Sequence, residues 1–157
     1  MNLASIALLP ELCKDVIETC SVHGAVGFIC ETRGELVLPV SKATSVCLAV
    51  TELITNACKH AYQGRTRGGV RLLLDGATDQ VLIRVEDDGV GMRTVSGKSE
   101  HRGIGMILVD SLAKSLAADI RIDSGPSGTC FTIAFTKPGP VPDLSHALVT
   151  NRHNKDV

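Results

Sequence analysis

A chain of 157 residues in which 44% are hydrophobic carries enough apolar material for one core of ordinary size, and its length gives no reason to divide it. Sixteen basic residues against seventeen acidic ones, with no long run of either sign, exclude the electrostatic footprint of a nucleic-acid binder or a polybasic membrane anchor. The expected partners are a small molecule and other proteins.

Leu9, Leu12, Cys13, Val16, Ile17 and Cys20 recur at helical three-and-four spacing, which predicts an amphipathic helix from about Leu8 to Ser21. Strands are predicted at Ala25 to Cys30 and Glu35 to Leu38, joined by a Thr32-Arg33-Gly34 turn. Pro39 and Ser41 then signal a helix with Ser41 as N-cap, carrying an apolar stripe of Val46, Ala49, Val50, Leu53 and Ala57. Gly64 to Gly69 reads as the loop that ends it. Strands at Val70 to Leu74 and Gln80 to Asp87 follow around an Asp75-Gly76 turn, then a polar stretch from Met92 to Arg102 and a helix from Ile104 to Leu116. Strands at Asp119 to Asp123 and Thr129 to Phe135 flank a Gly125-Pro126-Ser127-Gly128 turn.

Hairpin pairs of strands set between helices predict an α/β fold, a two-layer α/β sandwich with a mixed, mostly antiparallel sheet packed against about three helices. The domain is expected over 1–137, and the Pro-rich, then polar stretch 138–157 reads as a disordered tail. Six cysteines (Cys13, Cys20, Cys30, Cys47, Cys58, Cys130) lie in apolar segments without a C-x-x-C pair or zinc-like histidine spacing, which predicts reduced core thiols. The N-terminus does not read as a secretory leader, and no apolar run approaches the roughly twenty residues that span a bilayer. A cytoplasmic chain without membrane contact is the expectation.

Three motifs carry candidate chemistry. In Glu52-Leu53-Ile54-Thr55-Asn56-Ala57-Cys58-Lys59-His60, the polar residues Glu52, Asn56 and His60 recur every four positions and share a helix face beside the apolar stripe. Magnesium takes oxygen ligands, usually one or two from protein, so the Asn56 carboxamide with a carboxylate one turn away suits it, and Lys59 can neutralise phosphate. On spacing alone the same residues also fit a solvated face. In Asp87-Asp88-Gly89-Val90-Gly91, strand alternation places Asp87 in the buried series of Val81, Ile83 and Val85 and turns Asp88 to solvent. A buried carboxylate needs donors, and the exocyclic amine of adenine is one, although an ordinary Asp-Gly turn has the same pattern. Gly89 and Gly91 permit close approach or positive φ. Thr129 alternates inward with Phe131, Ile133 and Phe135, where its hydroxyl can reach Asp87, the base or a water. Arg102-Gly103-Ile104-Gly105 sets flexible backbone at a helix N-terminus suited to polyphosphate, without a Walker loop or dinucleotide fingerprint. Lys98, His101 and Arg102 place positive charge in the preceding stretch, which reads as a lid or as a solvated loop.

In this order the three motifs resemble the N box, first glycine box and second glycine box of the GHKL ATPase superfamily, across about Leu8 to Phe135. The resemblance implies the Bergerat fold, ATP and Mg²⁺ as cofactors, Asn56 on the metal, Asp87 on adenine, and Glu52 as a base or water-orienting group. The nucleotide-facing set is then Asn56, Lys59, His60, Asp87, Gly89, Gly91, Lys98, Arg102, Gly103, Ile104, Gly105 and Thr129.

Asn56-Ala57-Cys58-Lys59-His60-Ala61, Ser127-Gly128-Thr129-Cys130-Phe131 and the entry segment Leu9-Pro10-Glu11-Leu12-Cys13 resemble histidine kinases of the HWE type and close relatives. Two features depart from that pattern. The chain has no tryptophan, so the W-x-E feature is absent, and no segment resembles the phosphoacceptor helix pair. His23 lies between a valine and a glycine, and His146 and His153 fall in the polar tail. The implied partners are a phosphoacceptor helix-bundle domain, on the same parent protein or a partner chain, and a response regulator. A stand-alone anti-sigma-factor serine kinase, with a partner from that pathway, and a non-catalytic ATP-binding interaction module are the competing readings.

Overall fold

The computed structural model describes residues 2–21, 25–62, 67–92, 94–95, 98–99 and 104–139. A mixed five-stranded sheet forms one layer, built from β2 (Ala25–Arg33), β4 (Arg67–Asp75), β5 (Gln80–Asp87), β8 (Asp119–Gly125) and β9 (Gly128–Thr136). Its spatial order is β2-β4-β5-β9-β8; β2 and β4 are parallel and the other neighbours antiparallel. Helices α1 (Leu9–Cys20), α2 (Val40–Asn56) and α3 (Ile104–Leu116) form the second layer. The predicted α/β sandwich is the architecture observed.

Alternation decides which face of each strand the helices cover. Val70, Leu72 and Leu74 on β4, Val81, Ile83 and Val85 on β5, and Thr129, Phe131, Ile133 and Phe135 on β9 are all buried. Against them pack Leu9, Cys13 and Ile17 of α1, Val46, Ala49, Val50 and Leu53 of α2, and Val109 and Leu116 of α3. Each fully buried aliphatic side chain contributes about 1.5–3 kcal/mol to this layer contact. The opposite sheet face carries charged pairs, among them Arg84–Glu86 at 2.6 Å and Arg71–Glu86 at 3.6 Å.

The chain departs from the sequence expectation near its start. A short strand, β1 (Leu3–Ser5), pairs antiparallel with β3 (Val37–Pro39) in a separate two-stranded sheet. The hairpin predicted across Thr32-Arg33-Gly34 does not form. Instead β2 continues to Arg33, whose carbonyl accepts the Gly76 N–H at 2.8 Å, and Gly34 turns the chain away at φ +68°. Burial of Leu36 and Leu38 then draws the segment out of the main sheet and into the core.

Ser41 is not the N-cap. Pro39 holds that position in an extended conformation, because β3 continues to it, and the first helical N–H, of Val40, bonds to the Asn2 carbonyl at 3.1 Å. The predicted loop to Gly69 is also shorter, since β4 begins at Arg67 and Gly68 and Gly69 pair with Val26 and Gly27. Lys137 ties the end of β9 back, its N–H bonding the Asp79 carbonyl at 2.7 Å and its Nζ bonding the Gly76 carbonyl. The tail expected over 138–157 lies outside the described residues from position 140 onward.

Candidate nucleotide site

Glu52 and Asn56 stand half-buried on the last turns of α2, beside the buried Leu53 and Ile54. The α-helical ridge predicted through His60 stops at Asn56, and Ala57–Ala61 forms a π-turn anchored by two buried alanines, Ala57 and Ala61. A π-turn accommodates one residue more per turn than an α-turn, and such turns concentrate at functional sites. Lys59 and His60, on its outer side, are exposed.

Helix α3 runs antiparallel to α2. The Ser115 and Ser45 hydroxyls meet at 3.1 Å at one end, and Gly105 abuts Glu52 and Asn56 at the other. A Cβ at position 105 would stand 2.8 Å from Glu52 Oε2 and 3.5 Å from Asn56 Nδ2. A side chain at 105 would therefore displace the Glu52 carboxylate and fill the space before Asn56, while the backbone there is ordinary helix. The first and third motifs thus converge on the first turn of α3. Among the described residues, neither Glu52 nor Asn56 has a side-chain hydrogen-bond partner.

Asp87 ends β5 on its inward face, half-buried. Its Oδ1 accepts the Gly89 N–H at 2.9 Å and the Thr129 N–H at 3.3 Å. Burial pushes its carboxyl above the usual range, the two backbone donors oppose that shift, and the neighbouring Asp88 adds to it. Oδ2 has no donor among the described residues, and it is not sealed from solvent.

Thr129 is buried as predicted, but its hydroxyl pairs with Ser124 Oγ at 2.9 Å, so it reaches Asp87 through its backbone N–H. Ser124 Oγ also accepts the Met92 N–H at 2.7 Å. Gly91 takes φ +74°, and a side chain there would run into the Gly125 carbonyl. Gly89 lies so close to Ala61 that a Cβ would overlap its backbone.

Lys98 lies in a two-residue strand, β7 (Lys98–Ser99), paired with β6 (Thr94–Val95), and Ile104 opens α3. The side chains of Lys98 and Ile104, together with His101, Arg102 and Gly103, lie outside the described residues.

Sequence reasoning missed Tyr62, Gly69 and Ser124, and it assigned Asp88 to solvent alone. Asp88 is exposed, yet its Oδ1 accepts the Gly69 N–H at 2.8 Å. The Tyr62 hydroxyl donates to the Gly69 carbonyl at 2.7 Å. That Tyr62 is the only tyrosine in the chain, directly after the first motif, was the available signal.

The residues present fit an adenine nucleotide with magnesium. Asp87 Oδ2 is a half-buried acceptor with no donor among the described residues, which matches an exocyclic amine. The Asn56 amide and Glu52 carboxylate, without side-chain partners among the described residues, supply oxygen beside a helix N-terminus, where backbone N–H groups have no intrahelical acceptor. No cluster of three or more His, Cys, Asp or Glu ligands occurs among the described residues. An ion here would take most ligands from phosphate and water, as magnesium commonly does.

A sheet covered on one face by three helices, with an inward aspartate at one strand end and a helical Asn beside a glycine-led helix, defines a class. The chain belongs to the histidine kinase-like ATPase domain family, whose pattern matches residues 21–135. This membership is consistent with the GHKL resemblance.

Particular relatives come from two kinds of protein. The chain is 32% identical over 99 residues to blue-light-activated histidine kinase 2 of Erythrobacter litoralis, a match covering 61% of this chain and 28% of that protein. It is 26% identical over 96 residues to the anti-sigma F factor of Clostridium beijerinckii, covering 55% of this chain and 67% of that protein. Among solved structures, the histidine kinase domain of the Erythrobacter litoralis EL346 blue-light activated histidine kinase superposes with a TM-score of 0.75 at 25% identity. That superposition covers 92% of this chain and 64% of the other.

Proposed function

We propose that this domain binds Mg-ATP and supplies the γ-phosphoryl group to a histidine on a phosphoacceptor helix-bundle domain, as the catalytic part of a bacterial two-component sensor histidine kinase. The observation that carries this reading is the meeting of Gly105 with the Glu52 and Asn56 side chains, which joins a metal-type donor set to a phosphate-type helix end. The acceptor domain belongs to the same parent protein or to a partner chain, and a response regulator takes the phosphoryl group onward. The cytoplasm is the compartment in which we place it.

In this reading Asp87 Oδ2 accepts the adenine amine, and Gly91 keeps the turn beside the base free of side chains. Thr129 and Ser124 hold the wall behind it. Asn56 offers its amide oxygen to the metal. Backbone N–H groups at Ile104 and Gly105 face the phosphates, with Lys59 adding positive charge and His60 a polar ring at the rim. Gly103, Arg102 and the Lys98 side chain, which lie outside the described residues, are assigned to the phosphates by the motif alone. Glu52 orients the attacking imidazole and receives its proton. Magnesium, when bound, draws off charge that develops on the transferring phosphoryl group.

The test is trans-phosphorylation of a supplied phosphoacceptor domain with γ-labelled ATP. Label that is acid-labile and alkali-stable supports the reading, and acid-stable label on serine overturns it in favour of the second. That second reading, a serine kinase of the anti-sigma-factor type, is supported by the similarity to the Clostridium beijerinckii anti-sigma F factor. The chain spans only 28% of the matched histidine kinase's length, so the activity of that whole protein is not carried over by the match itself. Binding of Mg-ATP without transfer to either acceptor would mark a non-catalytic interaction module.

A further inference from the structure

We propose that Tyr62 and Asp88 are positioning residues, a clamp that fixes the π-turn after Asn56 and so holds the Asn56 side chain in register with Asp87. The inference rests on the assignment of Asn56 to the metal and Asp87 to adenine.

A π-turn has no intrinsic advantage over a continued α-helix, so ties from outside must select it. Here the ties are concentrated at its C-terminal end. The carbonyl of Ala61, its last residue, accepts the Val90 N–H at 3.0 Å, which anchors it to the glycine turn that follows Asp87. One residue further on, the Tyr62 ring lies over Gly68 so closely that a Cβ there would coincide with it. The ring's hydroxyl bonds to the Gly69 carbonyl at 2.7 Å, and the Asp88 carboxylate takes the Gly69 N–H at 2.8 Å. The Asp88 N–H bonds to the same Gly69 carbonyl at 3.3 Å.

Three chain segments are thereby tied at Gly69: the end of the π-turn, the start of β4 and the residue after Asp87. Burial, then the charges of Asp88 and Asp87, push the Tyr62 phenol well above its ordinary range, which keeps it a neutral donor. Since the π-turn begins immediately after Asn56, loosening its far end frees Asn56 while Asp87 retains both of its own backbone donors. The clamp therefore acts on the metal half of the site more than on the base half.

Two measurements test this on the whole chain with Tyr62→Phe, Asp88→Ala and Asp88→Asn. Tyr62→Phe keeps the ring on Gly68 and removes only the hydroxyl. Calorimetry with ATP, in EDTA and then in Mg²⁺, separates base binding from the gain that the metal adds. Tyr62→Phe and Asp88→Ala should leave metal-free affinity within about 2-fold of wild type and lose about 5- to 10-fold of the Mg²⁺ gain, the scale of one lost hydrogen bond. Asp88→Asn, whose amide oxygen can still accept the Gly69 N–H, should retain the gain. In nucleotide-free protein, amide hydrogen exchange should accelerate at Val90 and through 57–61 in Tyr62→Phe, with Leu53 and Ile54 unchanged.

An unchanged Mg²⁺ gain in Tyr62→Phe overturns the clamp, and so does an equal loss with and without metal, which would mark a merely structural role. A wild-type affinity insensitive to Mg²⁺ removes the metal assignment of Asn56, and the positioning role falls with it. A normal wild-type gain that survives in Tyr62→Phe sinks the clamp alone.

Discussion

Replacing Gly105 by alanine separates the fold from the site, because the two should respond in opposite directions. Alanine is favoured over glycine inside a helix by about 0.5–1 kcal/mol, and position 105 has ordinary helical backbone in the first turn of α3. Considered alone, that preference raises stability, by a few degrees in Tm for a domain of this size. The new methyl group would also stand 2.8 Å from Glu52 Oε2. Ordinary carbon–oxygen contacts lie several tenths of an ångström further out, so the Glu52 carboxylate, the flexible end of its side chain, must swing aside. The Asn56 amide, with Nδ2 at 3.5 Å and Oδ1 at 3.6 Å from the same point, loses the open space before it. Displacement of about an ångström at a transferring site costs on the order of 100-fold in rate. Differential scanning fluorimetry should therefore report an equal or higher Tm for Gly105→Ala, while calorimetry shows Mg-ATP affinity down by at least about 10-fold and transfer falls further. Wild-type Mg-ATP affinity in a well-folded Gly105→Ala protein would refute the convergence of the first and third motifs.

Asp87→Asn should abolish ATP binding while leaving the fold at least as stable near neutral pH. Its amide oxygen can still accept the Gly89 and Thr129 N–H groups, and the buried charge is gone. The sign follows from the raised carboxyl: its stabilising contribution is full below the unfolded value of 3.8 and is lost as pH rises through the higher folded value. Urea titrations should thus show the advantage of Asn over Asp shrinking as pH falls toward 4, and a growing advantage in acid would refute the burial argument. Cys13, fully buried with its thiol pushed up to about 12, should resist an aromatic disulfide reagent at pH 8 until the protein unfolds, and rapid native labelling would show the α1 packing to be wrong. Leu72→Ala, at the centre of β4 with no exposed surface, should cost about 2–5 kcal/mol in chemical denaturation, and a loss below about 1 kcal/mol would contradict the placement of the core.

What could be read from the sequence was periodic or local. Strand alternation placed Val81, Ile83, Val85 and Asp87 on one face and carried Thr129 inward with Phe131, because a strand with one covered face leaves no other register. The stripe on α2 was equally clear. The structure differs wherever a long-range contact outweighed a local signal. Thr32-Arg33-Gly34 looks like a hairpin turn, but β2 finds its partner in β4, and burial of Leu36 and Leu38 carries the next segment elsewhere. Ser41 has the chemistry of an N-cap, yet β1 and β3 pair up to Pro39 and the Asn2 carbonyl takes the Val40 N–H, so the helix is already under way at Ser41. The π-turn is silent in sequence because Ala57-Cys58-Lys59-His60-Ala61 has no helix breaker. Its cause lies in Tyr62 and in Gly68 and Gly69, on either side of residues 63–66.

The placement of the unpartnered groups argues for a division of labour within the candidate site. At the base end, Asp87 already has both backbone donors on one oxygen and Thr129 is already paired with Ser124, so that wall is organised before any nucleotide arrives. At the phosphate end, Glu52 and Asn56 have no side-chain hydrogen-bond partner among the described residues, and they face the first turn of α3 at Gly105. A preformed acceptor at one end and unsatisfied oxygens at the other mean that the base binds with little reorganisation, while the metal and phosphates do the ordering. The expected signature is a metal-free affinity set mainly by Asp87 and a Mg²⁺ gain set mainly by Asn56, with Asp87→Asn abolishing both and Asn56→Ala removing the second alone. Equal losses in the two variants, with and without Mg²⁺, would mean that the two ends are ordered together and that the division does not exist.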